Sequence, residues 1–284
     1  MTIRLDVSRG GDVELYHFPE GAVVYLDHHA LMNAAEQYAD DFVAALALQG
    51  STLALSWVNF VQLSEVSDQT LEPVGRLLGR IQPRVVFLDT NLARVAQKEA
   101  DVAAGKRRDP AFLHDEWAGL VFRYGRKGSL DPLDLPTFLN SFKSPELKKS
   151  FEESQASAAS EFGEMFEDAR RRMASSSEIR KNVYAHPARS GVVMAPLHFL
   201  ELVKYLVKNR VNVLEGDNMN DCWHANVSTC YCDFVVLDKQ WVKATTEAQA
   251  QLDKVGRLDW RAQVFRDVPT LLPALRAWMP ARTS

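Results

Sequence analysis

Carboxylates crowd the stretch GDNMNDCWHANVSTCYCDFVVLDKQW, Gly216 to Trp241, at Asp217, Asp221, Asp233 and Asp238. Asp238 closes the apolar run FVVL, and Asp27 closes an earlier one, AVVYL. Glu65 follows shortly after a third run, TLALSW. Acids gathered from such positions repel. At an effective dielectric of about 20, a pair 4 Å apart costs roughly 4 kcal/mol. Protons or a divalent cation must relieve that cost. Hard carboxylate oxygens favour Mg²⁺ or Mn²⁺. Such ions activate water and stabilise charge on a phosphoryl group in flight.

The elements that would position these acids alternate. AVVYLD (22–27), TLALSW (52–57), RVVFLD (84–89) and DFVVLD (233–238) read as strands apolar on both faces, as a parallel sheet requires. Between the first two, Leu31, Ala35, Tyr38, Phe42, Ala45 and Leu46 recur at helical spacing up to a stop at Gly50. VNFVQLSEVS, NLARVAQKEADVAA, VMAPLHFLELVKYLVKNR and NDCWHANVSTCYC are also helical. The alternation implies an α/β fold with a mostly parallel central sheet. In such a sheet the carboxyl ends of the strands form the ligand crevice. Asp27, Glu65, Asp221 and Asp238 can converge there. Asp233 lies roughly 16 Å from Asp238 along an extended strand, at about 3.3 Å per residue, so it belongs to the opposite edge or the preceding turn. It stands as an auxiliary candidate only.

The ordered set YLDHHALMNAA, LALSWVNFVQLSEV, VVFLDTNLARVAQKEA and NDCWHANVSTCYCDFVVLDKQW resembles the PIN-domain nucleases. It covers about 1–100 and 192–245 of the chain. In that family an Asp ends the first strand, a Glu follows the second, an Asp opens a late helix and a fourth Asp follows the last strand core. The matching positions are Asp27, Glu65, Asp221 and Asp238. The resemblance implies a three-layer α/β/α fold and a Mg²⁺- or Mn²⁺-dependent phosphodiesterase. All four acids would be metal ligands or water-orienting groups. The implied substrate is RNA, single-stranded or structured, with DNA as the alternative, cut by in-line attack of an activated water. A toxin or defence effector held by an inhibitor or antitoxin protein is the implied setting, and a homo-oligomer is compatible with it. Two features depart from the family. Val236 stands where many members carry Ser or Thr, which keeps open a catalytically silent, nucleic-acid- or protein-binding relative. The stretch from about 105 to 191 is far longer than in compact members.

That stretch carries Pro110, Pro132, Pro136, Pro145 and Pro187 and reads as a predominantly helical insertion within one domain of 284 residues. Its basic runs place Arg107, Arg108 and Arg171 as candidate phosphate contacts, against the plainer reading of a solvated helix face. His28, directly after the first acid, is a candidate substrate contact or simply the start of a helix. Asp89 reads as a cap for the helix beginning near Asn91. Cys222, His224, Cys230 and Cys232 have the residue types of a zinc site. However, positions 222 and 224 point about 200° apart on a helix, and buried small apolar side chains are the better reading of the cysteines. The composition is 46% hydrophobic, enough for a sizeable core. A net charge of −4 excludes a strongly basic nucleic-acid binder but not a local groove. Three clustered cysteines make no disulfide framework, which points to a reducing, cytoplasmic compartment. No run long enough for a membrane span or a signal peptide is present.

Overall fold

The computed structural model describes residues 3–7, 11, 13–106, 110–114, 117–127, 134–147, 194–209, 218–254 and 262–279, with isolated positions between 149 and 171. A β1–β2 hairpin, β1 (Ile3–Val7) and β2 (Val13–His17), pairs antiparallel at the amino terminus. Five further strands form one all-parallel sheet: β3 (Val23–Leu26), β4 (Thr52–Ser56), β5 (Val85–Leu88), β6 (Phe234–Val236) and β7 (Gln263–Phe265). Their spatial order is β5-β4-β3-β6-β7. β3 lies at the centre, with Tyr25 opposite Ala54 on one side and Val235 on the other. Asp27 and Asp238 therefore follow adjacent strands.

Side chains alternate across the sheet, and helices cover both faces, so the molecule has three layers, α/β/α. Val24, Leu26, Leu53, Leu55, Phe87 and Val236 share one core with the helices of the first face. These are α1 (His28–Gln37), α2 (Ala39–Leu48), α3 (Trp57–Ser64) and α4 (Asp68–Ile81). After α5 (Leu92–Ala103), α6 (Trp117–Tyr124) and α7 (Leu135–Ser141) join the same core. Val23, Tyr25, Ala54, Val86 and Val235 share the opposite core with α8 (Met194–Lys208), α9 (Asn218–Tyr231) and α10 (Lys239–Lys254). The last helix, α11 (Val268–Ala277), returns to the first face.

Several details differ from the sequence expectation. The helical pattern from 28 to 48 is two helices, parted at Tyr38 with φ −130°. One straight helix of that length would run about 30 Å, well past strands of four or five residues. α4 is obscured in the sequence by Pro73, Gly75 and Gly79, yet its apolar positions Leu71, Val74, Leu77, Leu78 and Ile81 are all buried. Strand β7 and helix α11 carry too short a pattern to be read in advance. The most consequential difference lies inside the supposed insertion. Trp117, Phe138 and Phe142 pack with Phe60 and Phe87 into one aromatic cluster, with ring centroids 4.4 to 6.5 Å apart. The described residues of 117–127 and 134–142 thus complete the principal core rather than decorate it. The charged stretch beyond them falls largely outside the described residues.

Glycine is required at the turn before β3. Gly21 has φ +59°, and a Cβ there would lie 2.6 Å from the Gly50 carbonyl oxygen. That close approach sets the start of β3 against the end of α2, and so fixes where β3 ends and Asp27 begins.

Candidate functional site

Asp27 follows β3 directly. Its N–H still belongs to the sheet, donating to the Val236 carbonyl at 3.0 Å. Its Oδ1 accepts from the Ala30 N–H at 2.7 Å and caps α1. Asp238 repeats the arrangement one strand over, with Oδ1 accepting from the Trp241 N–H at 2.9 Å at the start of α10. In both, Oδ2 has no hydrogen-bond partner among the described residues. The capping role and a ligand role therefore use different oxygens of the same carboxylate. Asp27 is 7% exposed, whereas Asp238 lies open to solvent. Burial pushes the Asp27 carboxyl up from its ordinary range. The Ala30 N–H, His224 and His29 oppose that push, and the Asp238 charge adds to it.

Asp221 sits in the first turn of α9. Its Oδ1 accepts from Gln62 Nε2 at 3.2 Å and is 3.0 Å from His224 Nε2. Burial disfavours its charge, but the bonds and charge of His224, then Gln62 and His28, outweigh burial and hold the carboxyl below its ordinary range. His224 Nδ1 lies 2.6 Å from the Tyr25 hydroxyl. Burial raises the Tyr25 phenol well above its usual value, so it stays a protonated donor.

Glu65 is not gathered in. It is the C-cap of α3, exposed, with its backbone N–H bonded to Gln62 and Leu63 carbonyls. The α3 side chain that reaches the rim is Gln62, one turn earlier, because the helix ends before Glu65 can turn inward. Asp233 stands at the opposite edge of the sheet. Its Oδ2 accepts from the Val23 N–H at 2.8 Å and pins the start of β3 to β6.

The rings of His28 and His29 meet tilted at 39°, with centroids 3.8 Å apart. Burial, then the neighbouring His29, lowers its pKa to about 4, so it is neutral near pH 7. Its Nδ1 and the Oε1 of Gln62 are both buried without a partner. Val236, the departure from the family pattern, is buried in the sheet core.

Asp89, at the end of β5, is fully buried and neutralised within the chain. Arg94 Nε approaches it at 2.5 Å and Lys98 Nζ at 3.0 Å. The cap of α5 is Asn91, whose side chain accepts from the Arg94 N–H. Cys222, Cys230 and Cys232 are free, buried thiols packed among apolar groups, as small hydrophobes pack. Arg107 and Arg108 lie outside the described residues. Arg171 is exposed, with Nε 3.4 Å from the Glu167 carbonyl.

Sequence reasoning missed Gln62, Tyr25, Ser56 and Asn59 and weighed His224 only as a zinc ligand. One signal was present: His224 follows Asp221 at i+3, on the same helix face. Among the described residues, no three His, Cys, Asp or Glu side chains stand closely enough together to hold a metal ion. Asp27 and Asp238, at the ends of adjacent strands, are hard oxygen donors of the kind Mg²⁺ takes one or two at a time while keeping several waters. No family model, curated protein or solved structure matches the chain. No helix among the described residues is long and apolar enough to cross a membrane.

Proposed function

We propose that the protein hydrolyses phosphodiester bonds, those of RNA first, with Mg²⁺ or Mn²⁺ held directly or through bound water by Asp27, Asp238 and Asp221. The observation that carries this function is the pairing of Asp27 and Asp238 at the ends of adjacent parallel strands. Each spends one oxygen on its helix and keeps the other unengaged. Burial disfavours the charge of Asp27, and the Asp238 charge adds a smaller push in the same direction. The resemblance in strand order and acid spacing supports the same chemistry. When bound, the ion offsets this repulsion and lowers the pKa of water toward neutrality. Gln62 and His224 keep Asp221 ionised and oriented. His28, neutral and half-buried, borders the acids as an auxiliary group. Glu65 is left to solvent in this scheme.

The test is cleavage of labelled single-stranded RNA and DNA, side by side, in Mg²⁺, Mn²⁺ or chelator. Metal-dependent cutting of RNA, abolished in Asp27→Asn and Asp221→Asn, is the expected result. Asn variants that cut as fast as the parent protein would overturn the assignment, and preferential DNA cutting would move it to the related deoxyribonucleases.

Val236, apolar where many PIN-domain nucleases carry Ser or Thr, favours a second function, a silent member that binds nucleic acid or a protein partner. Calorimetric titration with Mn²⁺ separates the two: uptake supports the nuclease, and none supports the silent binder. An inhibitor protein or a second copy covering the rim fits either function, as does a cytoplasmic location.

A further inference from the structure

A line of polar groups runs through the protein beneath the acidic rim. The Leu26 carbonyl, one residue before Asp27, accepts from Asn59 Nδ2 at 3.1 Å. Asn59 Oδ1 accepts from the Ser56 N–H at 2.8 Å and from Ser56 Oγ at 3.0 Å. Ser56 Oγ stands 3.4 Å from the Tyr25 hydroxyl, which lies 2.6 Å from His224 Nδ1. His224 Nε2 completes the line, 3.0 Å from Asp221 Oδ1. Leu26, Asn59, Ser56, Tyr25 and His224 are all buried, His224 at 2% exposure.

Counting protons sets the direction of the bonds at the two ends of the line. An ionised carboxylate only accepts, so Nε2 of His224 carries the hydrogen. Nδ1 and the Tyr25 hydroxyl share one hydrogen, carried by either atom of the pair. The one proton of Ser56 goes to Asn59. Every atom on the line is satisfied, which is the condition for burying so many polar groups without a penalty. A core needing only packing would carry apolar side chains at these positions. At its rim end, the line and Gln62 both seize the same oxygen of Asp221, Oδ1.

We propose that His224 is a positioning residue for Asp221. Tyr25 holds the ring from behind, the ring and Gln62 hold Oδ1, and Oδ2 is the oxygen left to a cation. The role of Asp221 in this inference rests on the metal-dependent function above. Tyr25 belongs to the central strand, so the same hydroxyl ties the late helix α9 to the strand that ends in Asp27.

Two substitutions at one position separate the two contacts of the ring. The amide of Asn reaches about where Nδ1 lies, and the amide of Gln about where Nε2 lies. His224→Gln keeps a donor for Asp221, whereas His224→Asn keeps only the contact to Tyr25. Mn²⁺ is titrated into the full-length protein by calorimetry, with folding checked by circular dichroism. Loss of a group that orients a metal ligand typically weakens metal binding by about tenfold or more. His224→Asn should show that loss, and His224→Gln, which keeps the donor to Asp221 but gives up the hold of Tyr25, should bind more weakly than the parent protein and more tightly than the Asn variant. Tyr25→Phe keeps the ring and its volume, and should also weaken binding; it carries the test if the Asn variant does not fold. Asn and Phe variants that bind Mn²⁺ as tightly as the parent would overturn the positioning role and leave the metal site standing. A parent protein that takes up no Mn²⁺ would overturn both.

Discussion

Asp27 gives one oxygen to its helix and leaves the other for the proposed chemistry, so the two roles can be pulled apart. Its Oδ1 caps α1. Asn caps a helix about as well as Asp, while Ala forfeits about 1 kcal/mol. The buried charge itself is disfavoured, as its raised pKa shows. Asp27→Asn should therefore melt no lower than the parent protein at pH 7 while losing metal-dependent cleavage. Asp27→Ala should lose cleavage and melt lower. Thermal melts of both variants beside a cleavage assay check this. An Asn variant that melted well below the parent would mean that the charge supports the fold. The same separation explains why an N-cap reading of a strand-end acid does not compete with a catalytic one.

At the scale of elements, the junction between α5 and α8 is sensitive to pH. Glu99 Oε1 accepts from the Met194 N–H at 3.1 Å, and Oε2 is buried without a partner. Burial, against the bonds from Met194 and Ala195, raises its pKa from 4.5 to about 7. The folded protein thus keeps a proton that the unfolded chain gives up near the ordinary value. Stability from this group is full below the unfolded pKa and is lost as pH rises through about 7. Glu99→Gln stays neutral at every pH. Its melting temperature should match that of the parent near about pH 4 and exceed it above pH 7, as seen in melts across that range. A constant difference would show that proton uptake by Glu99 plays no part. Strands β3 to β6 were legible in the sequence because burial on both faces writes an unbroken apolar run. Helix α4 was not, because Pro73, Gly75 and Gly79 lower local helix propensity while sheet packing overrides them.

For the whole molecule, the core does not respect the apparent boundary of an insertion. Phe138 meets Phe60, Phe87, Trp117 and Phe142. Phe138→Ala should cost about 3–5 kcal/mol, measured by denaturant unfolding. Removal of residues 105–191 should leave a chain without a cooperative transition. A shortened protein that unfolds cooperatively would restore the insertion. The amino-acid sequence by itself determined the α/β class and the shared rim of Asp27 and Asp238. Parallel strands that each run into an acid must present those acids on one side, whatever the packing. Only the tertiary structure decided that Gln62 rather than Glu65 meets Asp221, that Tyr25 and His224 support it, and that Trp117 and Phe138 close the core. Those contacts join residues remote in the chain, and they depend on where α3 stops and how α9 lies on the sheet. Periodicity reports which face of an element is buried, but not which distant group it meets.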